Sequence, residues 1–316
     1  YKYSFDKKTK ALPYFKLSTI KMMPNYNFSS NELKHAPYDA IFFLAETFLA
    51  SNDPENALDY FNLYKDKYKG YPPINVDKQI RYCLNAEKML SAPLQIKYTN
   101  LGNQVNGAYT EANPVVSIDN SILFFSSRRL RDDKSNKSLP DGKKGIYPED
   151  IYISNYQNGE WEAPQYFKFN TNLNEAPMAV SSDNKTLFFQ REEKNNTDIY
   201  YSINENVNWM EPKKLGSGIN TTYNEKGLTI SADGKTLYFS SDRTGGKGGY
   251  DLFMSVKTED GKWSKPKNVG GEVNTPFNET MPYLHPNGST LYFSSDGYHN
   301  ISMGGFDIFA TELQKD

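Results

Sequence analysis

The sequence predicts an α+β multidomain protein in which an N-terminal all-α region of helical repeats precedes an all-β propeller with at least four blades. Two observations support this fold class. Up to about residue 92, apolar residues recur every three to four positions, as on one face of a helix. Beyond that point, short alternating runs separated by turn dipeptides recur four times. We therefore divide the chain into residues 1–92 and residues 93–316.

The composition of the 316 residues excludes several classes of protein. Charged residues make up 23% of the chain and aromatic residues 15%, which is too aromatic for a disordered chain. The net charge of -2 gives no basic field for nucleic acid. A single cysteine, Cys83, and three scattered histidines argue against a disulfide scaffold and a metal centre. We expect no cofactor, no metal ion and no transmembrane segment, because no apolar run approaches 18 residues.

The N-terminal region predicts helices with short connections. Residues 35–51 and 51–68 each place apolar side chains along one helical face, and residues 7–26 and 76–90 are predicted as helices of neighbouring units. The turn NDPENA between the two central helices resembles the inter-helix turn of a tetratricopeptide repeat. Such units stack on neighbours, and the first residues lack an apolar leader. We therefore expect residues 1–92 to be an incomplete tetratricopeptide-like domain within a longer chain.

Four segments of the C-terminal region share one pattern. They span residues 110–127, 174–190, 224–241 and 278–295. Each has a glutamate near its start, a turn dipeptide such as Asp-Gly eight residues after that glutamate, and a phenylalanine six residues after the turn, which predicts a two-stranded hairpin. The glutamates are Glu111, Glu175, Glu225 and Glu279. A third strand follows each hairpin and begins with an aspartate: Asp150, Asp198, Asp251 and Asp307. Antiparallel modules that recur in this way predict the blades of a propeller.

The fourth strands of these modules leave the closure of the ring open. Trp161, Trp209 and Trp263 each begin a Trp-x-x-Pro unit after a third strand, and we expect them to cover blade edges. The segment NLGNQVN within residues 94–107 matches the fourth-strand pattern NVGGEVN. Either residues 94–101 pair with 307–311 and close a four-bladed ring, or further blades follow Asp316.

The third blade carries a resemblance to a known family. Its sequence SADGKTLYFSSDRTGGKGGYDLFMS, followed by GKWSKPKNVGGEVNTPFNE, resembles the WD40-like PD40 (TolB-like) propeller repeat of periplasmic proteins. Together with tetratricopeptide-like helices it resembles the PorE-like, OmpA-related components of the Bacteroidetes type IX secretion and gliding machinery. The resemblance implies a periplasmic, outer-membrane-associated scaffold without enzymatic activity, whose partners are proteins of that complex. In that family a lipoprotein signal precedes the helices, and peptidoglycan binds through a further OmpA-like domain that this sequence does not contain.

The carboxylates that recur in every blade are interpreted as structural. A group present in each blade most simply accepts hydrogen bonds within that blade, as Asp and Glu do in turns. Paired catalytic carboxylates need one asymmetric site rather than four equal ones. We therefore predict no catalytic residues and no enzymatic activity.

The arginines break the repeat and form the candidate binding site. Five of the six follow a second strand: Arg128, Arg129, Arg131, Arg191 and Arg243. We favour pairing with the repeated carboxylates, but arginine also suits recognition of a carboxylate or phosphate on a partner. His299 and the long insertion 132–149 are placed on the same face of the propeller. A ligand-binding or glycan-binding propeller, which could also process glycans, stays open as the alternative function.

Overall fold

A computed structural model describes residues 5–20, 22–23, 36–67, 76–137 and 147–313. The chain forms two compact units. Unit 1 comprises Tyr1–Ile96 and Tyr298–Asp307, and unit 2 comprises Lys97–Gly297 and Ile308–Asp316. A loop from the last sheet of the chain therefore belongs to the helical unit, which the sequence pattern does not indicate.

Unit 1 contains four helices that pack in sequence order. They are α1 (Phe5–Ser18), α2 (Asp39–Ala50), α3 (Pro54–Lys67) and α4 (Val76–Ser91), accompanied by the short parallel strands β1 (Met22–Met23) and β2 (Ala36–Pro37). α2 packs against α1 and α3, and α3 packs against α4. The core contains the fully buried side chains of Ile41, Leu44, Phe61 and Tyr64. The Tyr64 hydroxyl donates a 3.0 Å hydrogen bond to Asp39.

The tetratricopeptide-like series in our predicted fold class is wrong. The helices have 12 to 16 residues and form no series of equivalent pairs in the described residues, and the structure is mostly β. α2 buries seven residues, whereas α3 and α4 each bury four. A helix buried on most of its surface is the centre of one small bundle rather than a layer in a stack of equal repeats. Periodicity and turn residues predict helices, but a repeat series also needs matching interfaces.

Unit 2 is a four-bladed β-propeller, so this part of the prediction is confirmed. Blade 1 consists of β3 (Glu111–Val116), β4 (Ile122–Ser127), β5 (Asp150–Gln157), β6 (Glu160–Trp161) and β7 (Gln165–Tyr166). Blade 2 consists of β8 (Glu175–Val180), β9 (Thr186–Glu192), β10 (Thr197–Glu205), β11 (Asn208–Trp209) and β12 (Lys213–Lys214). Blade 3 consists of β13 (Glu225–Ile230), β14 (Thr236–Ser241), β15 (Asp251–Val256) and β16 (Lys267–Asn268). Blade 4 consists of β17 (Glu279–Leu284), β18 (Thr290–Ser295) and β19 (Asp307–Glu312), the strand that spans the boundary between the units.

Successive blades bury their apolar faces against each other. Phe124 and Ile151 of blade 1 pack with Leu187 and Phe189 of blade 2. The same arrangement joins blade 2 to blade 3, where the buried residues include Phe188, Ile199, Leu237 and Phe239. Trp209 packs edge-on against Phe124, with ring centroids 5.7 Å apart. The blades are therefore joined by aliphatic and aromatic side chains that alternate along each strand.

The ring is not closed by the segment that the sequence suggested. Residues 94–101 form no strand, so the predicted pairing with 307–311 is absent. The first strands of the blades pack in the order β3, β8, β13 and β17, and no comparable packing joins β17 to β3 in the described chain. These first strands surround a cavity of about 320 Å³.

The hairpin turns have the conformation that their residues favour. Asn120, Asn184, Gly234 and Gly288 occupy the left-handed region, with φ between 57° and 71°. In blade 1 the Ser117 hydroxyl and the Ser121 amide donate to one Asp119 oxygen at 2.6 and 3.0 Å. These hydrogen bonds lower the pKa of Asp119 to about 2.

Acid titration of the Asp119 carboxyl should detect the hydrogen bonds of this turn. Because its folded-state pKa lies below the unfolded value of 3.8, the stabilising effect of Asp119 is present above pH 4 and is lost as the pH falls towards 2. We expect a carboxyl NMR titration midpoint near 2, and Ser117→Ala should raise it. Asp233 in blade 3, whose pKa its own Ser231 lowers, should keep its midpoint in that variant. An Asp119 midpoint unaffected by Ser117→Ala would contradict this assignment.

Candidate functional site

The repeated carboxylates lie at one end of each blade because strand register places them there. In blade 3 Glu225 and Asp251 both lie opposite Ser241, one on each side of the second strand. The same register places Glu175 and Asp198 beside Arg191 in blade 2. We call this end of the propeller the arginine face.

We call the segment that precedes the first strand of a blade a link. Each repeated glutamate forms hydrogen bonds with the link before its own blade. Glu225 accepts hydrogen bonds from the amide and hydroxyl of Thr221 at 3.0 and 2.7 Å, and from the Ser241 hydroxyl at 3.0 Å. Equivalent contacts connect Glu175 with Thr171, Glu279 with Thr275, and Glu111 with the Gly107 amide. These buried carboxylates therefore satisfy backbone and hydroxyl donors of the frame.

Three arginines complete the same arrangement in blades 1 to 3. Arg243 donates to Glu225 at 2.9 Å, and its guanidinium lies 4.9 Å from the Phe239 ring centroid. Arg129 pairs with Glu111 at 3.2 Å and Arg191 with Glu175 at 2.9 Å. The Arg243 side chain is only 11% exposed and also donates to the Ile219 carbonyl. Each guanidinium is thus engaged by a carboxylate and an aromatic ring of its own blade.

Arg131 forms a more deeply buried ion pair. Its Nε and Nη2 atoms lie 2.8 and 2.7 Å from the two carboxylate oxygens of Asp150. The two side chains are 7% and 0% exposed. The hydrogen bonds that its guanidinium donates to Asp150 raise the pKa of Arg131, whereas burial raises the pKa of Asp150 in spite of them. Because the guanidinium contacts both oxygens at short distance, we assign the pair as ionised at neutral pH.

Arg128 is the most exposed of the five predicted arginines, at 26% of its side-chain surface. It donates to the Tyr147 carbonyl at 3.1 Å and lies 3.5 Å from Glu149. Of the insertion that follows it, residues 132–137 and 147–149 are described, and residues 138–146 lie outside the described residues. A partner-binding role for this side of blade 1 stays a prediction.

The repeated aspartates at the third strands bind nearby donors. Asp198 accepts from Lys214 at 2.7 Å, Asp251 from the amides of Lys247 and Gly248, and Asp307 from the Met303 amide at 2.9 Å. The contacts with Asp198 and Glu193 raise the pKa of Lys214. These geometries agree with the structural interpretation of the repeat.

Blade 4 has no arginine at the repeat position. Gly297 follows its second strand, and an added Cβ there would overlap the Thr275 side chain. Glu279 is instead held by Thr275 and by the Ser295 hydroxyl at 2.7 Å. His299, predicted on the arginine face, lies in unit 1, where its Nδ1 is 2.8 Å from the Tyr82 hydroxyl on α4.

A cavity that sequence reasoning missed lies between blades 2 and 3, at the end that carries the hairpin turns. Its volume is about 780 Å³, and Tyr201, Trp263, Asp183, Asp233 and Lys257 contribute to its lining. The signal in the sequence was weak because these residues come from separate turns and strands. Turn aspartates and the Trp-x-x-Pro unit recur in the blades, so each suggested only a structural role.

No group of three or more His, Cys, Asp or Glu within the described residues could hold a metal ion. No helix described here is long and apolar enough to cross a membrane.

Comparison with known proteins finds similar structures only at low sequence identity. No family model and no curated protein matches the sequence. The chain is similar to an α-L-arabinanase from Penicillium chrysogenum complexed with arabinobiose, at 16% identity over 66% of this chain and 60% of that one, with a TM-score of 0.41. It is also similar to the β-propeller domain of the Trilobed protease from Pyrococcus furiosus, at 15% identity over 66% and 70% of the chains, with a TM-score of 0.38.

A third similar structure is a puromycin-hydrolysing peptidase from Mycobacterium tuberculosis, at 15% identity and a TM-score of 0.39. The match covers 65% of this chain and only 27% of the peptidase. Because these three TM-scores lie below 0.5, none of the three proteins indicates what this chain does.

Proposed function

We propose that the chain is a non-enzymatic scaffold that binds other proteins through exposed apolar surface. The observation that carries this proposal is an outward apolar row at the C-terminal end of α1. Tyr14, Leu17 and Ile20 follow each other at three-residue spacing and are 70%, 66% and 72% exposed. Side chains three apart lie on the same side of a helix, so Tyr14 and Leu17 form one patch that the following turn extends. Contiguous exposed apolar surface marks interaction sites.

The engaged charges of the propeller support the same proposal. Five arginines and the repeated carboxylates are committed to ion pairs and hydrogen bonds within blades, which leaves a rigid frame with loops at both ends. His285 accepts a hydrogen bond from the Asn287 amide and His299 contacts the Tyr82 hydroxyl on α4, so these contacts of the two described histidines involve a turn and a helix. This is the architecture of a binding protein more than of a hydrolase.

The cellular setting of the scaffold is proposed from sequence resemblance. The PD40-like repeat of blade 3 supports a periplasmic, outer-membrane-associated location and membership in a type IX secretion or gliding complex. Cell fractionation tests the location, and recovery in the cytoplasmic fraction would contradict it. Co-purification of secretion-complex proteins tests the membership.

Removing the apolar row should weaken partner binding without affecting the fold. We expect the triple variant Tyr14→Gln, Leu17→Gln, Ile20→Gln to bind at least 10-fold more weakly to a partner purified from outer-membrane extracts, at unchanged Tm. Val207→Gln is the matched control, because Val207 is 92% exposed and isolated in a turn of blade 2. Unchanged affinity of the triple variant, measured by titration with the purified partner, would contradict the proposed surface.

A second candidate function rests on the 780 Å³ cavity between blades 2 and 3. Its lining combines Trp263 and Tyr201 with Asp183 and Asp233, and sugars are commonly recognised by aromatic faces together with polar groups. Titration with a panel of oligosaccharides tests it. Binding that is lost in Asp183→Asn and Asp233→Asn would favour a glycan-binding propeller, and no binding at millimolar concentration would argue against it.

A further inference from the structure

We call the junction between two successive blades a joint. Each of the three joints contains an asparagine whose side-chain amide hydrogen-bonds to both backbone groups of one residue of the third strand, an arrangement that we call a clamp. In the link after blade 3, Asn274 accepts from the Leu252 amide at 2.8 Å and donates to the Leu252 carbonyl at 2.9 Å. Asn170 holds Ile151 and Asn220 holds Ile199 in the same way, with both distances 2.9 Å. The clamped residue is always the one after the repeated aspartate.

A second contact completes the clamp. The amides of Phe167, Leu215 and Val269 donate to the carbonyls of Ile151, Ile199 and Leu252 at 3.0, 3.0 and 3.1 Å. Each link therefore satisfies both backbone groups of one aliphatic residue, and that residue is fully buried in all three joints.

The segment before blade 1 is built as the same link but holds no strand. The backbone amide of Asn106 donates to the Gly102 carbonyl at 2.9 Å and closes a turn. The backbone amide of Asn274 donates to the Gly270 carbonyl in the same way at 2.8 Å. The Leu101 amide, equivalent to that of Val269, donates instead to Asn106 Oδ1 at 3.1 Å. Val105, 3% exposed, anchors this segment in the core of blade 1. We call residues 99–106 the empty link.

Blade 4 presents the complementary half of a joint. Ile308 follows the repeated aspartate but is 80% exposed, whereas its equivalents Ile151, Ile199 and Leu252 are at 0%. In the described chain, β19 has β18 as its only neighbouring strand. An aliphatic residue on an unpaired edge strand is a ready template for another chain.

The sheet face beside Ile308 is also uncovered. Tyr283 and Tyr292 lie opposite one another across β17 and β18 and are 55% and 37% exposed. Their equivalents in blade 3, Thr229 and Tyr238, are 5% and 7% exposed because blade 4 packs on them. Tyr283, Tyr292 and Ile308 line one groove of about 410 Å³.

We propose that these two halves meet between copies of the chain, so that blade 4 of one copy docks on blade 1 of a second copy. The empty link then clamps Ile308, with Asn106 contacting its amide and carbonyl as in the three internal joints. A second copy fits because it carries an empty link already seated on blade 1, and within the described residues β17 does not pack against the chain's own β3 as successive first strands pack. The contact is head-to-tail, so each copy keeps one free half and assembly continues.

Sedimentation velocity of the 316-residue chain tests this association. We expect oligomers whose size grows with concentration. Asn106→Ala and Ile308→Asp should each weaken association at least 10-fold at unchanged Tm, because both side chains are exposed in the single chain. An equimolar mixture of the two variants should form dimers and nothing larger, since each supplies one intact half. Val207→Asp, at an isolated exposed position, should associate as the parent does.

Two results would overturn the proposal. One is a parent chain that stays monomeric at all concentrations. The other is a monomer in which the paired variant Asn106→Cys, Ile308→Cys oxidises to an intrachain disulfide, which would mean that the ring closes on itself. The buried Cys83 does not confuse this readout. None of these variants alters Tyr14, Leu17 or Ile20, so failure here leaves the proposed partner surface of α1 independently testable.

Discussion

Replacing Arg131 by alanine should lower the free energy of unfolding by about 3–5 kcal/mol, the usual cost of leaving one buried charge without its partner. Asp150 would keep a carboxylate that is 0% exposed and would lose hydrogen bonds of 2.7 and 2.8 Å. The Thr171 carbonyl, which also accepts from this guanidinium, would lose a donor. Denaturant unfolding of the parent and the variant measures the difference.

Two controls separate burial from charge. Lys262→Ala removes an ion pair with Asp260 in which both side chains are more than half exposed, and it should change stability by no more than about 1 kcal/mol. The double variant Arg131→Ala, Asp150→Ala should be more stable than Arg131→Ala alone, because no buried charge is left. If Arg131→Ala costs no more than Lys262→Ala, the buried pair is not a major stabilising contact.

The pH dependence of the Arg131→Ala variant has a definite sign. Without the guanidinium, burial and, to a smaller extent, the charge of Asp133 act on Asp150 and raise its pKa above that in the parent. A carboxyl whose folded pKa exceeds its unfolded value stabilises the fold at low pH and destabilises it as the pH rises. The stability difference between parent and variant should therefore shrink on acidification towards the unfolded value of 3.8.

Asn274→Ala should have the second-largest effect. It leaves the Leu252 amide without an acceptor and removes one of two donors to the Leu252 carbonyl, which keeps the Val269 amide. A buried group without a hydrogen-bond partner costs about 1–3 kcal/mol. Asn274 is 1% exposed, so water does not readily replace its amide. We expect a loss of about 1–3 kcal/mol in denaturant unfolding, mainly from the unsatisfied Leu252 amide.

Asn106→Ala is the matched control, because Asn106 occupies the same repeat position in the empty link. The Asn106 side chain is exposed, and among the described contacts its Oδ1 atom accepts only from the backbone amide of the exposed Leu101. The free energy of unfolding should therefore change by no more than about 0.5 kcal/mol. The same variant is expected to lose head-to-tail association. Equal destabilisation by the two substitutions would show that the empty link already carries a buried clamp.

The arginine face shows how far local sequence supports a site. The topology of an up-and-down blade predicts that repeated carboxylates and arginines share one end, because strand order alone determines which loops are neighbours. It does not predict that Arg129 forms its ion pair with Glu111 and Arg131 with Asp150. That choice depends on distances of a few ångströms between loops.

Local sequence patterns are sufficient to predict the helices, the four hairpins and their turns. Side chains alternate along a strand, and Asn and Gly readily adopt the left-handed backbone conformation of hairpin turns. Both effects act over a few residues, so the sequence reveals them without a structure. Only the tertiary structure showed that the helices form one small bundle, that residues 94–101 pair with no strand, and that Ile308 is uncovered while Leu252 is buried. Two segments at the same repeat position, DLFMS and DIFAT, differ in burial because a neighbouring blade covers the first and not the second. Burial depends on contacts between distant parts of the chain, which no local pattern encodes.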